Sequence, residues 1–338
     1  NLMGERTYRN LYCVKTQQSL NLCFFSHSSQ LAGAERSLLA LVKELTIDYN
    51  TLCTVVLPSN GPLENLLQEA GASTIVAPLY WWCSGTKLPD PAKINEQYRQ
   101  SFSWLNENLQ LLEQINPDFV LTNTLTIPWG GLAAFMLSRP HVWMVREFGV
   151  LDHGLKFFLP FNQVIKFIDR ASEIIVTCSK VLKDELFASL HPDKVHTIYN
   201  QIKIDEKVNT SKGAKYDYFT LTGAYHLIIA GSIMESKGQE DAVRSVVELV
   251  KNRNRQVELV IVGYAQPDYK NYLQNIIDEE KLNKYIHIIP FQENVFPIIN
   301  LADVLLVCSR MEAFGRVTLE GLLMQKAVIA TNTGGTPE

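Results

Sequence analysis

Residues 302–320 read Ala302-Asp303-Val304-Leu305-Leu306-Val307-Cys308-Ser309-Arg310-Met311-Glu312-Ala313-Phe314-Gly315-Arg316-Val317-Thr318-Leu319-Glu320. The apolar run predicts a buried strand ending at Ser309, the Phe314-Gly315 pair a tight loop, and the residues from about Arg316 a helix. Backbone N–H groups at such a helix start point at an anion such as a phosphate, and Gly315 lets a ligand approach closely. Glu312 falls in the loop and Glu320 about one turn into the helix. Two carboxylates can then grip different parts of one ligand, and carboxylates accept well from paired sugar hydroxyls.

The same kind of strand recurs on both sides of this segment. Short runs rich in β-branched and aromatic residues occupy 20–25, 52–57, 74–77, 119–122, 141–145 and 173–177, then 226–230, 257–262, 286–289 and 327–330. Most are uninterrupted rather than alternating, which predicts parallel strands covered on both faces. Helical spacing lies between them at 35–45, 98–115, 240–250 and 269–280. Strand-helix alternation along the whole length predicts an α/β chain of doubly wound, Rossmann-like domains. The polar stretch 201–218 has no apolar periodicity and reads as a linker. It divides a first domain, 1–200, from a second, 219–338, with ligands expected in the crevice at the strand carboxyl ends.

Composition narrows the function. The 338 residues are 46% hydrophobic and 20% charged with a net charge of −4, which excludes a broadly cationic nucleic-acid binder. Six scattered cysteines form no CxxC pair, so neither zinc nor a disulfide framework is expected, and a reducing cytosol fits best. No Asp-x-Asp loop occurs, so no metal site is expected on a diphosphate. No strand leads into a GxGxxG turn, which disfavours a nicotinamide dehydrogenase. Residues 119–138 are uncharged but broken by Asn123, Pro128, Gly130 and Gly131, and read as strand, loop and helix start rather than a membrane span.

Glu312-x7-Glu320 with Phe-Gly inside it, after Ala-Asp-Val and a serine, resembles the signature of the family 4 retaining glycosyltransferases of GT-B fold. Four further marks fall in that family's order: Gly33-Ala34-Glu35-Arg36, Gly231…Lys237-Gly238, Ile261-Val262-Gly263 and Gly334-Gly335-Thr336-Pro337-Glu338. The resemblance covers nearly the whole chain. It implies that Glu320 holds the ribose of a nucleotide, Glu312 the donor sugar's hydroxyls, and Lys237 the diphosphate, assisted by the N–H groups of Gly315 and Arg316. It puts Pro290-Phe291-Gln292 at the base and Gly33 beneath the diphosphate, with Gly231, Ser232, Gly263 and Phe314 completing the donor site.

Three departures bear on these roles. Ser232 stands where most members have an arginine, leaving Arg316 or Arg36 to supply that charge. Ala32 replaces the first glycine of the loop. Arg146-Glu147-Phe148 stands where many members have a histidine near the sugar, which makes Arg146, Glu147 and His153 candidates for its place. The family's second domain also continues beyond its Gly-Gly-x-Pro-Glu, so an incomplete, truncated domain is expected here.

The resemblance implies transfer of a hexose, glucose first, from a UDP-sugar to an acceptor hydroxyl on a glycan or lipid-linked sugar. Exopolysaccharide synthesis in the cytoplasm, with peripheral contact at the inner membrane face, is the implied setting; the nucleotide sugar is substrate and no cofactor is expected. A sugar-nucleotide epimerase or a non-catalytic sugar-nucleotide-binding subunit are the alternatives. Taken singly, several features have plainer readings. Glu312 and Glu320 would be ordinary helix charges. His27 would be a cleft residue or one satisfied by backbone groups, and the remaining loop and strand histidines structural. The stretch 155–170 would be a core-facing helix or a surface for a lipid-linked acceptor, and Tyr80-Trp81-Trp82 a sugar platform or a plug in the crevice.

Overall fold

A computed structural model describes residues 19–85, 87–202 and 218–338. The first half contains strands β1 (Asn21–Ser26), β2 (Leu52–Leu57), β3 (Ser73–Val76), β4 (Cys83–Ser84), β5 (Phe119–Asn123), β6 (His141–Val145), β7 (Lys156–Phe157), β8 (Ile174–Thr177) and β9 (Val195–Thr197). Its helices are α1 (Gly33–Ile47), α2 (Pro62–Glu69), α3 (Pro91–Glu107), α4 (Leu109–Ile115), α5 (Trp129–Met136), α6 (Val150–His153), α7 (Phe161–Ala171) and α8 (Lys180–Phe187). The second half adds β10 (Tyr225–Ala230), β11 (Val257–Val262), β12 (Ile286–Ile289), β13 (Val304–Val307) and β14 (Ala327–Ala330). They alternate with α9 (Gln239–Val247), α10 (Pro267–Glu279), α11 (Phe296–Leu301) and α12 (Arg316–Leu323).

Two parallel sheets result, ordered β3-β2-β1-β5-β6-β8-β9 and β12-β11-β10-β13-β14, while β4 and β7 form a short antiparallel ribbon. All six residues of β11 are buried, as a strand covered on both faces requires. In the first sheet Phe24, Val55 and Leu121 face a layer built from α1 and α2. Their neighbours Cys23, Phe25 and Val56 face one built from α3 to α5. Strand order reverses between β1 and β5 in one sheet and between β10 and β13 in the other. Ligands bind outside the strand carboxyl ends at such switch points. His27 follows β1, and Gly231 and Ser309 follow β10 and β13, so the fold brings both sets of candidate residues to these places.

Several expectations change in detail. The helical spacing over 98–115 is divided between α3 and α4, because the chain turns at Asn108. The strand expected to end at Ser309 ends at Val307, and Ser309 is left in the loop with its hydroxyl free to bond a side chain. The stretch 155–170 is not one helix: Lys156–Phe157 pair with β4, and Pro160 starts α7. The apolar side of α7, with Val164 and Ile168, packs into the first domain's core and leaves Lys166 and Arg170 exposed. The expected linker lies mostly outside the described residues, which omit 203–217. No helix of the described residues is long and apolar enough to cross a membrane.

One buried charge anchors the second domain. Glu258, inside β11 and fully buried, accepts the N–H groups of Thr220 and Leu221 at 2.9 Å. It also accepts the Thr220 hydroxyl at 3.0 Å and pairs with His287 Nε2 at 2.8 Å. Burial opposes its charge, but these hydrogen bonds outweigh it and hold the carboxyl below its ordinary range. His226 lies 3.8 Å from the same carboxylate and stacks on Phe219, so both of these histidines are structural. Glu258→Ala leaves several donors unpaired and is predicted to cost about 2–4 kcal/mol in chemical denaturation. A carboxylate with a lowered folded-state pKa contributes stability above its unfolded value and loses it as pH falls through the folded value. Wild-type stability should therefore drop on acidification below about pH 5 more steeply than that of Glu258→Gln. Equal acid sensitivity of the two would remove this role from Glu258.

Candidate functional site

The carboxyl ends of β10 and β13 carry the polar centre of the second domain. A short turn over Glu235–Lys237 brings Lys237 Nζ to 2.6 Å from Glu312 Oε1, and the Ser309 hydroxyl donates to the same oxygen at 2.6 Å. Both side chains of the ion pair remain partly accessible, at 19% and 14%. The pair is therefore shielded but open to a ligand from the crevice. Gly315 caps α12, and Thr318 and Thr336 lie beside it with buried hydroxyl oxygens that have no partner among the described residues. A helix start flanked by two unpartnered hydroxyls fits an anion with several acceptor oxygens.

Close backbone approach explains two of the glycines on which the family resemblance rests. A Cβ on Gly263 would lie 1.8 Å from the Gly231 carbonyl, so the ends of β10 and β11 can meet only without side chains there. Gly334 has φ +56°, and a Cβ on it would lie 2.2 Å from the carbonyl oxygen of Glu312. The next residue, Gly335, donates its N–H to that carbonyl at 2.7 Å. The Gly-Gly-Thr-Pro-Glu loop thus sets the backbone from which the Glu312 side chain projects.

The start of α1 faces this centre from the first domain. A Cβ on Gly33 would touch Arg316 Cδ at 3.4 Å, and Arg316 Nη1 donates to the Ser37 hydroxyl at 3.0 Å. Arg316 Nη2 also lies 3.6 Å from Glu320 Oε1. Burial raises the Glu320 pKa, against the opposing pull of Arg316 and Arg36. Arg36 donates to the Glu293 carbonyl across the crevice at 3.0 Å. The two arginines expected to replace the missing family arginine therefore both stand at the crevice with Glu320. Ser232 itself is exposed, and its carbonyl accepts from Gln239.

Arg146 and Glu147 diverge. Arg146 Nε donates to Asn123 Oδ1 at 2.6 Å, its Nη1 donates to Asn200 Oδ1, and burial lowers its pKa, with the charge of Arg316 acting in the same direction. Glu147 turns inward, accepts the Leu125 N–H at 2.7 Å, and has its pKa pushed by burial up to about 8. His153 pairs with Asp152 at 3.7 Å. Among the described residues no backbone group satisfies the His27 ring: its Nε2 meets Glu35 Oε1 at 3.1 Å, while its Nδ1 is buried without a partner. Burial, then the charges of His153 and Arg146, push the His27 pKa down to about 3, so the ring is neutral at pH 7.

Two expected donor residues make aromatic contacts, and Glu338 makes a helix contact that the motif order did not announce. Phe314 lies against Tyr199 of the first domain, ring centroids 6.3 Å apart, and joins that domain's apolar cluster. Phe291 stacks on Tyr264 at 4.1 Å with the planes 9° apart, and Gln292 donates to the Pro290 carbonyl. Tyr264 was legible only as the residue after Val262-Gly263. Glu338 accepts the N–H groups of Lys180 and Val181, at the start of α8, and the Tyr199 hydroxyl, each at 2.8 Å. Its charge sits at the positive end of that helix. Nothing in the local pattern at Glu338 announces this contact with a helix 158 residues earlier.

The Gly334 constraint is testable. Gly334→Ala forces carbon against backbone at a left-handed position and is predicted to cost about 2 kcal/mol or more in thermal unfolding. Gly85→Ala, where nothing lies within 4 Å of the added carbon, should leave the midpoint unchanged. Equal midpoints for the two variants would show that the loop over Glu312 can move aside.

Comparison with known proteins matches this architecture. Residues 31–206 match Glycosyltransferase Family 4, and residues 220–338 match Glycosyl transferases group 1. N-acetyl-alpha-D-glucosaminyl L-malate synthase of Bacillus anthracis is 26% identical over 181 residues, 52% of this chain and 46% of the relative. The capsular polysaccharide biosynthesis glycosyltransferase CapH of Staphylococcus aureus is 27% identical over 173 residues, 51% of this chain and 46% of CapH. The chain thus spans about half the length of the curated relatives it matches. The structure of Anabaena Alr3699/HepE in complex with UDP and glucose aligns with a TM-score of 0.71 at 18% identity, covering 94% of this chain and 82% of that one. The apo lipopolysaccharide outer core galactosyltransferase WaaB aligns at 0.63 and 14% identity, covering 93% and 81%. With two Rossmann-like domains in the GT-B arrangement and a family match over more than half its length, the chain belongs to glycosyltransferase family 4.

Proposed function

We propose that the chain forms the core of a retaining glycosyltransferase that moves a hexose from a UDP-sugar to an acceptor hydroxyl. The observation that carries this is the Lys237–Glu312 pair beside the α12 start, with the unpartnered hydroxyls of Thr318 and Thr336 close by. In this reading the diphosphate lies over the α12 start, neutralised by Lys237 with Arg316 and Arg36. Glu320 holds the ribose hydroxyls. Glu312, whose Oε1 is already engaged by Lys237 and Ser309, uses Oε2 to orient a hydroxyl of the donor sugar.

The leaving and arriving groups share one face of the sugar, so Glu312 orients rather than attacks. The departing diphosphate takes the acceptor's proton, and its growing charge is met by Lys237 and the helix start. No metal is assigned a step, because the cations named carry the charge. The HepE complexes with UDP, and with UDP-glucose, support UDP-glucose as the first donor to try. The name of the Bacillus relative keeps UDP-N-acetylglucosamine next. CapH supports a setting in surface-polysaccharide synthesis, where the exposed Lys156, Lys166 and Arg170 suit peripheral contact with an anionic membrane face.

Calorimetry with UDP tests the ribose role: Glu320→Ala should weaken binding about ten- to a hundredfold. Glu312→Ala should leave UDP affinity near wild type while release of UDP from the matching UDP-sugar collapses. Unchanged UDP affinity in Glu320→Ala, or equal loss of UDP and UDP-sugar affinity in Glu312→Ala, would contradict these roles. UDP release should also persist in excess EDTA. Abolition by EDTA with rescue by Mg²⁺ or Mn²⁺ would transfer the charge-neutralising role to a metal. Tight UDP-sugar binding with no release, acceptors present, would favour a binding subunit instead.

A further inference from the structure

Beside the crevice, wholly within the first domain, lies a cavity of about 410 Å³ that none of the donor roles uses. Its walls include His27, Pro58, Tyr80, Trp81, Gln97 and Phe158. The three consecutive aromatics Tyr80-Trp81-Trp82 have separated here. Trp82 is buried in the core, stacked on Trp143 and donating to the Leu125 carbonyl. Trp81 is 37% exposed and donates its indole N–H to the His27 carbonyl at 2.8 Å. That bond fixes the ring, and the His27 ring, 5.3 Å away, covers one side of it. The Tyr80 hydroxyl donates to Gln100 Oε1 at 3.0 Å, which holds that ring as well.

We propose that this cavity binds an uncharged pyranose ring of the acceptor, laid with its C–H face against Trp81 and its hydroxyls towards Gln97. The proposal rests on the transferase reading. Among the described residues that line the cavity none carries a charge at neutral pH, so a diphosphate has no counter-charge there, while a neutral sugar needs none. The size is that of a small-molecule site, and aromatic walls with a few polar groups are the usual lining. The Gln97 amide has no partner among the described residues, which leaves donors and an acceptor for hydroxyls. Contact with the donor side runs through one short path. His27 at the cavity wall bonds Glu35, and Gly33 and Ser37 of the same helical turn touch Arg316.

Saturation-transfer NMR on the full chain tests this with methyl glucoside, galactoside, mannoside and N-acetylglucosaminide as neutral probes. Glucose 6-phosphate serves as the charged control and octanol as the apolar one. At least one methyl pyranoside should be saturated through its ring C–H protons. Trp81→Ala should reduce that signal about tenfold, and Trp81→Phe should keep most of it. Glucose 6-phosphate should give little. UDP affinity, measured in parallel, should be the same in all three proteins, which also shows that the variants are folded. Absence of any pyranoside signal, its persistence in Trp81→Ala, or binding of octanol alone would overturn the proposal, the last making the cavity a lipid-chain site. If UDP still binds in those cases, the cavity assignment fails and the donor reading stands; if wild type binds no UDP, the donor reading fails.

Discussion

The 2.6 Å contact between Lys237 Nζ and Glu312 Oε1 ties together the loops after two adjacent strands at the switch point of the second sheet. Either charge alone in this partly shielded position would be costly, since desolvation penalises an ion that has lost its partner. Paired, they hold each other in place, and the Ser309 hydroxyl adds a third arm. The glycines around them follow from the same crowding. Gly334 presses its backbone onto Glu312, and Gly263 onto Gly231, because strands ending at one point leave no volume for side chains between their loops.

Contacts between the domains radiate from this centre. Arg316 starts the helix that presents its N–H groups to the crevice, and the same guanidinium reaches Ser37 in the first domain. The loop just before it places Phe314 against Tyr199, and Tyr199 in turn donates to Glu338. Several polar and apolar links between the domains therefore issue from one strand-loop-helix corner and the glycine loop that closes over it, and Arg36 adds another through the Glu293 carbonyl.

In the first domain burial works on two groups in opposite directions, lowering His27 to about 3 and raising Glu147 to about 8, and both changes favour the uncharged form. Two arginines, Arg36 and Arg146, also stand on this side, and each interacts electrostatically with Arg316 of the second domain.

Much of this was written in the chain itself. Uninterrupted apolar runs such as 257–262 mark strands buried on both faces, and strand-loop-helix spacing around Gly315 marks the start of α12, because both signals are local and periodic. Glu312, Glu320 and Lys237 were legible through motif order. Other features depend on which distant segments come together, and no local pattern encodes that. Glu338 caps a helix 158 residues away, Tyr264 finds Phe291, and the hydroxyls of Thr318 and Thr336 meet beside Gly315. Trp81 and Trp82 are identical and adjacent in the chain, yet one lines a cavity and the other fills a core. Successive side chains point to different sides of the backbone, and only the packing around them assigns those sides to solvent or interior.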